Sequence, residues 1–287
     1  MNFTSMLRTA GERHASMLCV GLDPEPARLP GVWKDDPARL FDFCRSIVDA
    51  TKDLVCAFKP QIAYFAAQRA EEQLERLIAH IHHTAPGVPV ILDAKRGDVG
   101  ATAAQYAREA FDRYQADAVT LSPFMGFDSL EPWLEYDGKG LILLCRTSNP
   151  GGSDLQARAL AGRDGQPGEQ LYEHIARLAA GPWNRSGQLG LVVGATFPAE
   201  IAHVRKLAPT LPLLIPGVGA QGGDAEATVH AGWRPNGPII VNSSRAVLYA
   251  FEGAEGSANF PAAARRVAEA TRASLQRARL QRASDAV

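Results

Sequence analysis

Two carboxylates and an ammonium fall within six positions at Asp93-Ala94-Lys95-Arg96-Gly97-Asp98, directly behind the apolar run Val90-Ile91-Leu92. A strand sends alternate side chains to one face, so Asp93 and Lys95 point the same way. Asp98 falls just past the turn at Gly97, and Thr102 follows one helical turn later on the same side. An ammonium between two acids keeps its charge and can serve as a proton donor. An imine-forming lysine needs the opposite, a neutral amine. A solvated ion-pair cluster on a charged turn is the plainer alternative. Magnesium between Asp93 and Asp98 is disfavoured because Lys95 already neutralises them and no histidine stands nearby.

These residues need elements to position them. Hydrophobic periodicity predicts strands over 17–21, 54–58, 88–95, 118–121, 140–145, 189–194, 213–216 and 239–242. Helices are expected over 37–51, 65–82, 102–114, 130–136, 171–180 and 198–207, with further helical segments to the end. A Gly-rich polar insertion after the fifth strand runs to about Gly168. Eight strand-then-helix units without a linker predict one closed (β/α)₈ barrel, a TIM barrel, spanning 1–287; an open doubly wound sheet is the alternative.

In such a barrel all strand tips meet at one mouth. Asp23, Lys59, Asp93, Lys95 and Asp98 then form an alternating array of charges there. A phosphate is commonly held by the loops after the last two strands, here Gly217-Val218-Gly219-Ala220-Gln221-Gly222-Gly223-Asp224, following Pro216, and Ser243-Ser244-Arg245. Glycines let backbone N–H groups approach an anion, and Arg245 adds a planar fork of donors. Gly217, Gly219 and Gly222 also match a dinucleotide fingerprint, but the next strand tip carries Asn242 and Ser243 where that fingerprint needs an acid.

Composition narrows the partners. With 287 residues, 46% hydrophobic, 21% charged and net charge −1, the chain reads as an ordinary globular protein without a nucleic-acid or anionic-membrane surface. No secretory signal or membrane-spanning run is seen, so a cytoplasmic location is expected. Cys19, Cys44, Cys56 and Cys145 are scattered and read as buried thiols; seven histidines show no metal-ligand spacing. The basic stretch 265–282 reads as the solvated last barrel helix.

The assembled residues resemble the orotidine 5′-phosphate decarboxylase family, in particular its longer bacterial (type 2) branch, over nearly the whole chain. The most specific part is D-A-K-R-x-D-V-G-x-T at Asp93 to Thr102. It is supported by Phe58-Lys59-Pro60-Gln61, Thr147-Ser148-Asn149-Pro150, the 216–223 loop and Asn242-Ser243-Ser244-Arg245. The resemblance implies a barrel homodimer, without cofactor or metal, that converts orotidine 5′-phosphate to UMP and CO₂. It implies that Lys95 protonates C6, Asp93 faces the leaving carboxylate, and Lys59 holds the network and a ribose hydroxyl. Asp23 would bind ribose, and Asp98 and Thr102 would reach the partner's site. Ser148 would read the pyrimidine, and Gln221 and Arg245 would grip the phosphate. The insertion from Ser148 to Gly168 would close as a lid. Rival readings are a Mg²⁺-dependent sugar-phosphate decarboxylase or aldolase of the same barrel group, against which Lys59 speaks, and a catalytically idle UMP-binding barrel.

Overall fold

Eight parallel strands form one sheet in the computed structural model, which describes residues 1–162, 167–218, 223–252 and 259–284. They are β1 (Leu18–Leu22), β2 (Ala57–Pro60), β3 (Ile91–Arg96), β4 (Ala118–Leu121) and β5 (Gly140–Arg146), then β8 (Leu189–Val193), β9 (Leu213–Pro216) and β10 (Ile239–Ser243). Between β5 and β8 lies a two-stranded antiparallel hairpin, β6 (Ala159–Leu160) and β7 (Glu169–Gln170). The sheet runs β2-β1-β10-β9-β8-β5-β4-β3. Its ends meet through the parallel bridges Phe58–Val90 and Gln61–Asp93, so the barrel closes.

Alternation along the strands builds the interior in layers. Cys19, Ala57, Ile91, Ala118, Ile142, Val192, Leu214 and Ile240, one from each strand, make a buried apolar ring. Beneath it the helix Phe3–Arg13 closes the lower end with Phe3 and Leu7. Asn2 caps that helix, accepting from the Ser5 N–H at 2.9 Å. Gly140 leaves room for the Phe3 ring, which a Cβ there would strike. Periodicity did not suggest this helix, although Phe3, Leu7 and Ala10 share one face.

Two expected helices differ in the structure. The segment 65–82 is broken into Ile62–Ala66 and Glu71–Thr84 because Arg69 takes a left-handed φ of 54°. The Ala70 N–H then returns to the Phe65 carbonyl at 3.0 Å, ending the first helix. The segment 102–114 starts earlier, at Gly100, and passes after Arg108 into a π-helical turn over Glu109–Arg113. The final helix, Phe260–Ser284, packs on the helices Leu40–Thr51 and Ala225–Gly232. All four cysteines are free and buried. No helix among the described residues is long and apolar enough to cross a membrane.

Candidate active site

One step of two residues up each strand from the apolar ring reaches Gly21, Lys59, Asp93, Thr120, Leu144, Gly194, Pro216 and Asn242. This second ring carries four polar side chains, Lys59, Asp93, Thr120 and Asn242, and is the floor of the mouth. Two of its members are glycines because other chain segments occupy the space. A Cβ on Gly21 would overlap the Ser244 hydroxyl, and one on Gly194 would sit 2.7 Å from the Ser148 Cα.

The centre of the floor is a chain of charges. Lys59 Nζ donates to Asp93 Oδ2 at 2.7 Å, and Lys95 Nζ donates to Asp93 Oδ1 at 2.5 Å. Asp23 stands 3.9 Å from Lys59 on its other side. Burial works against each buried charge, but the partners outweigh it. Desolvation alone would lower the Lys59 pKa, yet Asp93 and Asp23 hold it above the ordinary lysine range. Desolvation alone would raise Asp93, yet Lys59 and Lys95 hold it well below the carboxylate range. Cys19, in the apolar ring below, is pushed up to about 12 mainly by burial and stays a neutral thiol.

A bulge aims these groups. Along β3 and β4 the register runs Leu92–Val119 and then Arg96–Leu121, so Asp93, Ala94 and Lys95 all face Thr120. Lys95 lies at φ 48°, a conformation costly for a side-chain-bearing residue and typical of functional sites. Thr120 supports it: its Oγ1 accepts from the Ala94 and Lys95 N–H groups, each at 3.0 Å, and donates to Asp93 Oδ1 at 2.9 Å.

Two lobes of one cleft meet at this array, and both are walled by Lys59, Asp93, Lys95 and Pro216. The first, of about 290 Å³, adds Asp23, Tyr64, Gly217, Asn242, Ser244 and Arg245. Arg245 is exposed on its rim, with no carboxylate within ion-pair distance among the described residues. The Gly217 loop is pinched shut by the Gly223 N–H donating to the Gly217 carbonyl at 3.1 Å. Gly219 and Gln221 lie outside the described residues. The second lobe, of about 520 Å³, is lined by Ser148, Thr147, Leu144, Gln156 and Val192, among others. Here the insertion is tied to the barrel. The Gln156 amide accepts from the Thr147 N–H at 2.8 Å and donates to its hydroxyl at 2.9 Å. The buried Arg146 bridges Glu200 and the Ser153 hydroxyl, each at 2.9 Å.

The arrangement corrects one sequence expectation. Within one chain Asp98 does not join Lys95: its carboxylate accepts from the Val99 N–H at 2.9 Å, and neither it nor the exposed Thr102 lines the cleft. Left-handed turns at Lys95 and Gly100 swing this segment outward. Within one chain it is Lys59 that lies between two acids, Asp23 and Asp93, while Lys95 meets Asp93 alone. Thr120, Asn242 (read from sequence only as part of a strand-tip motif) and Gln156 were not foreseen as site residues. Counting two residues from the apolar ring would have found the first two; Gln156 carries no such signal. Among the described residues no three His, Cys, Asp or Glu side chains gather as a metal site, and no histidine walls either lobe.

Known proteins match this chain over nearly its whole length. Residues 16–258 match the family model described as orotidine 5′-phosphate decarboxylase / HUMPS. A Paracidovorax citrulli protein named orotidine 5′-phosphate decarboxylase is 70% identical over 279 residues, covering 97% of this chain and all of that one. The protein of that name from Methylibium petroleiphilum is 69% identical over 284 residues, with the same coverage of both. The solved structure of Leishmania donovani OMP decarboxylase superposes with a TM-score of 0.79 at 39% identity, covering 96% of this chain and 99% of that one. With a family model spanning most of its length and relatives this similar end to end, the chain belongs to the orotidine 5′-phosphate decarboxylase / HUMPS family.

Proposed function

We propose that the two-lobed cleft binds orotidine 5′-phosphate with its phosphate toward Arg245 and the 216–223 loop, its ribose at Asp23 and Lys59, and its pyrimidine toward Ser148. The chain is a carboxy-lyase that converts this nucleotide to UMP and CO₂, a step of pyrimidine synthesis. The observation that carries the reading is the Lys59–Asp93–Lys95 chain of contacts at the junction of the lobes.

As the C6–carboxylate bond breaks, its electron pair stays on C6 and CO₂ leaves. Lys95 donates a proton to C6, and the neutral amine regains one from solvent. No ring carbonyl delocalises that pair, so stabilisation must come from a charge already in place. Asp93, kept ionised by two lysines, repels the substrate carboxylate, and this repulsion is relieved as CO₂ departs. Lys59 is buried and keeps Asp93 from turning. The reaction so written calls for no metal or cofactor. A lysine at the second strand tip, with relatives of about 70% identity bearing the decarboxylase name, speaks against sugar-phosphate chemistry.

The 1–287 chain would act as one catalytic unit in the cytoplasm, paired as a homodimer. What supports pairing is an exposed apolar surface where two adjoining loops meet: Val99 after β3, and Phe124 and Met125, 75% and 53% exposed, after β4. The Ser122 N–H donates to the Arg96 carbonyl at 2.7 Å, joining those loops. Asp98 and Thr102 border Val99, where a partner's cleft would meet them. The deciding assay is the absorbance loss of orotidylate with EDTA-treated protein. Full activity in EDTA and a fall of about 10³-fold or more in Lys95→Ala are expected. Activity that requires added Mg²⁺, or survives in Lys95→Ala, would overturn the reading.

A further inference from the structure

The turn Asp23-Pro24-Glu25, just past β1, is held from a point 224 residues further along the chain. The Tyr249 hydroxyl accepts from the Glu25 N–H at 2.8 Å and donates to the Asp23 carbonyl at 3.1 Å. The same residue is tied to the adjoining wall of the first lobe, built by the neighbouring strand β10, because its own N–H donates to the Arg245 carbonyl at 3.1 Å. Its ring cannot drift. Phe43 stacks at 6.2 Å, the Arg28 guanidinium lies 3.7 Å from the ring centroid, and Glu252 holds that guanidinium with two hydrogen bonds. Burial pushes the phenol upward, so it remains a donor throughout the neutral range.

Resting on the reading that Asp23 meets the sugar and Arg245 the phosphate, we infer that Tyr249 is a positioning residue: its hydroxyl sets the spacing between the ribose-facing carboxylate and the phosphate-facing guanidinium. It touches neither substrate nor reacting atoms. Its role is to make the two ends of the nucleotide one ruler, so that binding at the phosphate presents the ribose to Asp23 and Lys59 in register.

Tyr249→Phe removes the hydroxyl and keeps every ring neighbour, so the fold is retained; a thermal melt checks this. KM for orotidylate should rise about five-fold while kcat stays within about two-fold, as for loss of one hydrogen bond that supports binding. The decisive readout is a ratio that general loosening would not move. Inhibition constants are measured for UMP and for its 2′-deoxy and 3′-deoxy forms on wild type, Asp23→Asn and Tyr249→Phe. Asp23→Asn should erase the preference for the hydroxyl that Asp23 takes, and Tyr249→Phe should narrow it at least about three-fold. A preference erased by Asp23→Asn but unchanged in Tyr249→Phe overturns the role of Tyr249 alone. A wild type that prefers neither hydroxyl overturns the ribose role of Asp23 and the inference with it.

Discussion

The two ends of the barrel are built from the same strands, one alternation apart, and differ in almost everything else. At the lower end the inward positions are Cys19, Ala57, Ile91, Ala118, Ile142, Val192, Leu214 and Ile240, sealed by Phe3 and Leu7. Two residues up, the inward positions include Lys59, Asp93, Thr120 and Asn242, and they open on a cleft. The lower end is stabilised by area removed from water and by close packing. The upper end holds buried charges that must be mutually satisfied, and a backbone bulge that must be supported. One end holds the scaffold together; the other is held by it.

Substitutions can break that contrast, the largest effect first. Lys59→Ala removes the cation that Asp93 and Asp23 share and leaves two acids at the floor of the cleft. It should reduce kcat/KM about 10²- to 10³-fold, the scale for losing one preorganised charge, in steady-state decarboxylation assays. The protein should remain folded, because Lys95 and Thr120 still meet Asp93. Phe3→Ala is the counterpart below. It should lower unfolding stability by about 3 kcal/mol in denaturant melts, the usual cost of emptying a buried aromatic site, with kcat/KM within about two-fold. A Phe3→Ala enzyme that is stable but slow would erase the distinction between the ends.

The pH dependence of stability separates them further. Asp93 has its pKa lowered from an ordinary 3.8, so its contribution to folding is complete above that value and drains away as pH falls below it. Lys59 has its pKa raised from an ordinary 10.5, so its contribution is complete below that value and is lost only in more alkaline solution. Between roughly pH 4 and pH 10 the array therefore stabilises the fold. Melts from pH 6 to pH 3 should show Phe3→Ala parallel to wild type but displaced downward. Asp93→Asn should instead have a shallower slope, and parallel curves for it would mean that this carboxylate is not held as its neighbours suggest.

Legibility followed the same division. Strand positions and the Asp93/Lys95 pairing could be read because a period of two is local and strong; Val90-Ile91-Leu92 announces the strand, and the polar switch announces its tip. The bulge could not be read, since it is a compromise between β3 and a β4 hydroxyl 25 residues away. Arg69 breaks a segment whose composition favours helix throughout; the chain turns there, and the helix beyond it, Glu71–Thr84, packs on Leu40–Thr51. Asp98 was placed beside Lys95 on spacing alone, and two left-handed residues undo that geometry. Tyr249 was invisible for the plainest reason: its partners are at the other end of the sequence.

The smallest expected effect tests the support of the bulge itself. Thr120→Val is nearly isosteric and deletes one hydroxyl. That hydroxyl satisfies the Ala94 and Lys95 N–H groups and one Asp93 oxygen, so three groups lose a partner at once. Water can replace some of this, since Thr120 lines the second lobe. The net cost should be about 1 to 2 kcal/mol, and it should fall on catalysis more than on binding. Lys95 would no longer be confined to its left-handed conformation, and its ammonium would reach C6 in fewer of the bound complexes. A drop in kcat of about ten-fold with KM nearly unchanged, restored by Thr120→Ser, is the expected pattern in steady-state assays. If KM rises instead and kcat holds, the hydroxyl serves the pyrimidine lobe rather than the lysine, and the bulge stands without it.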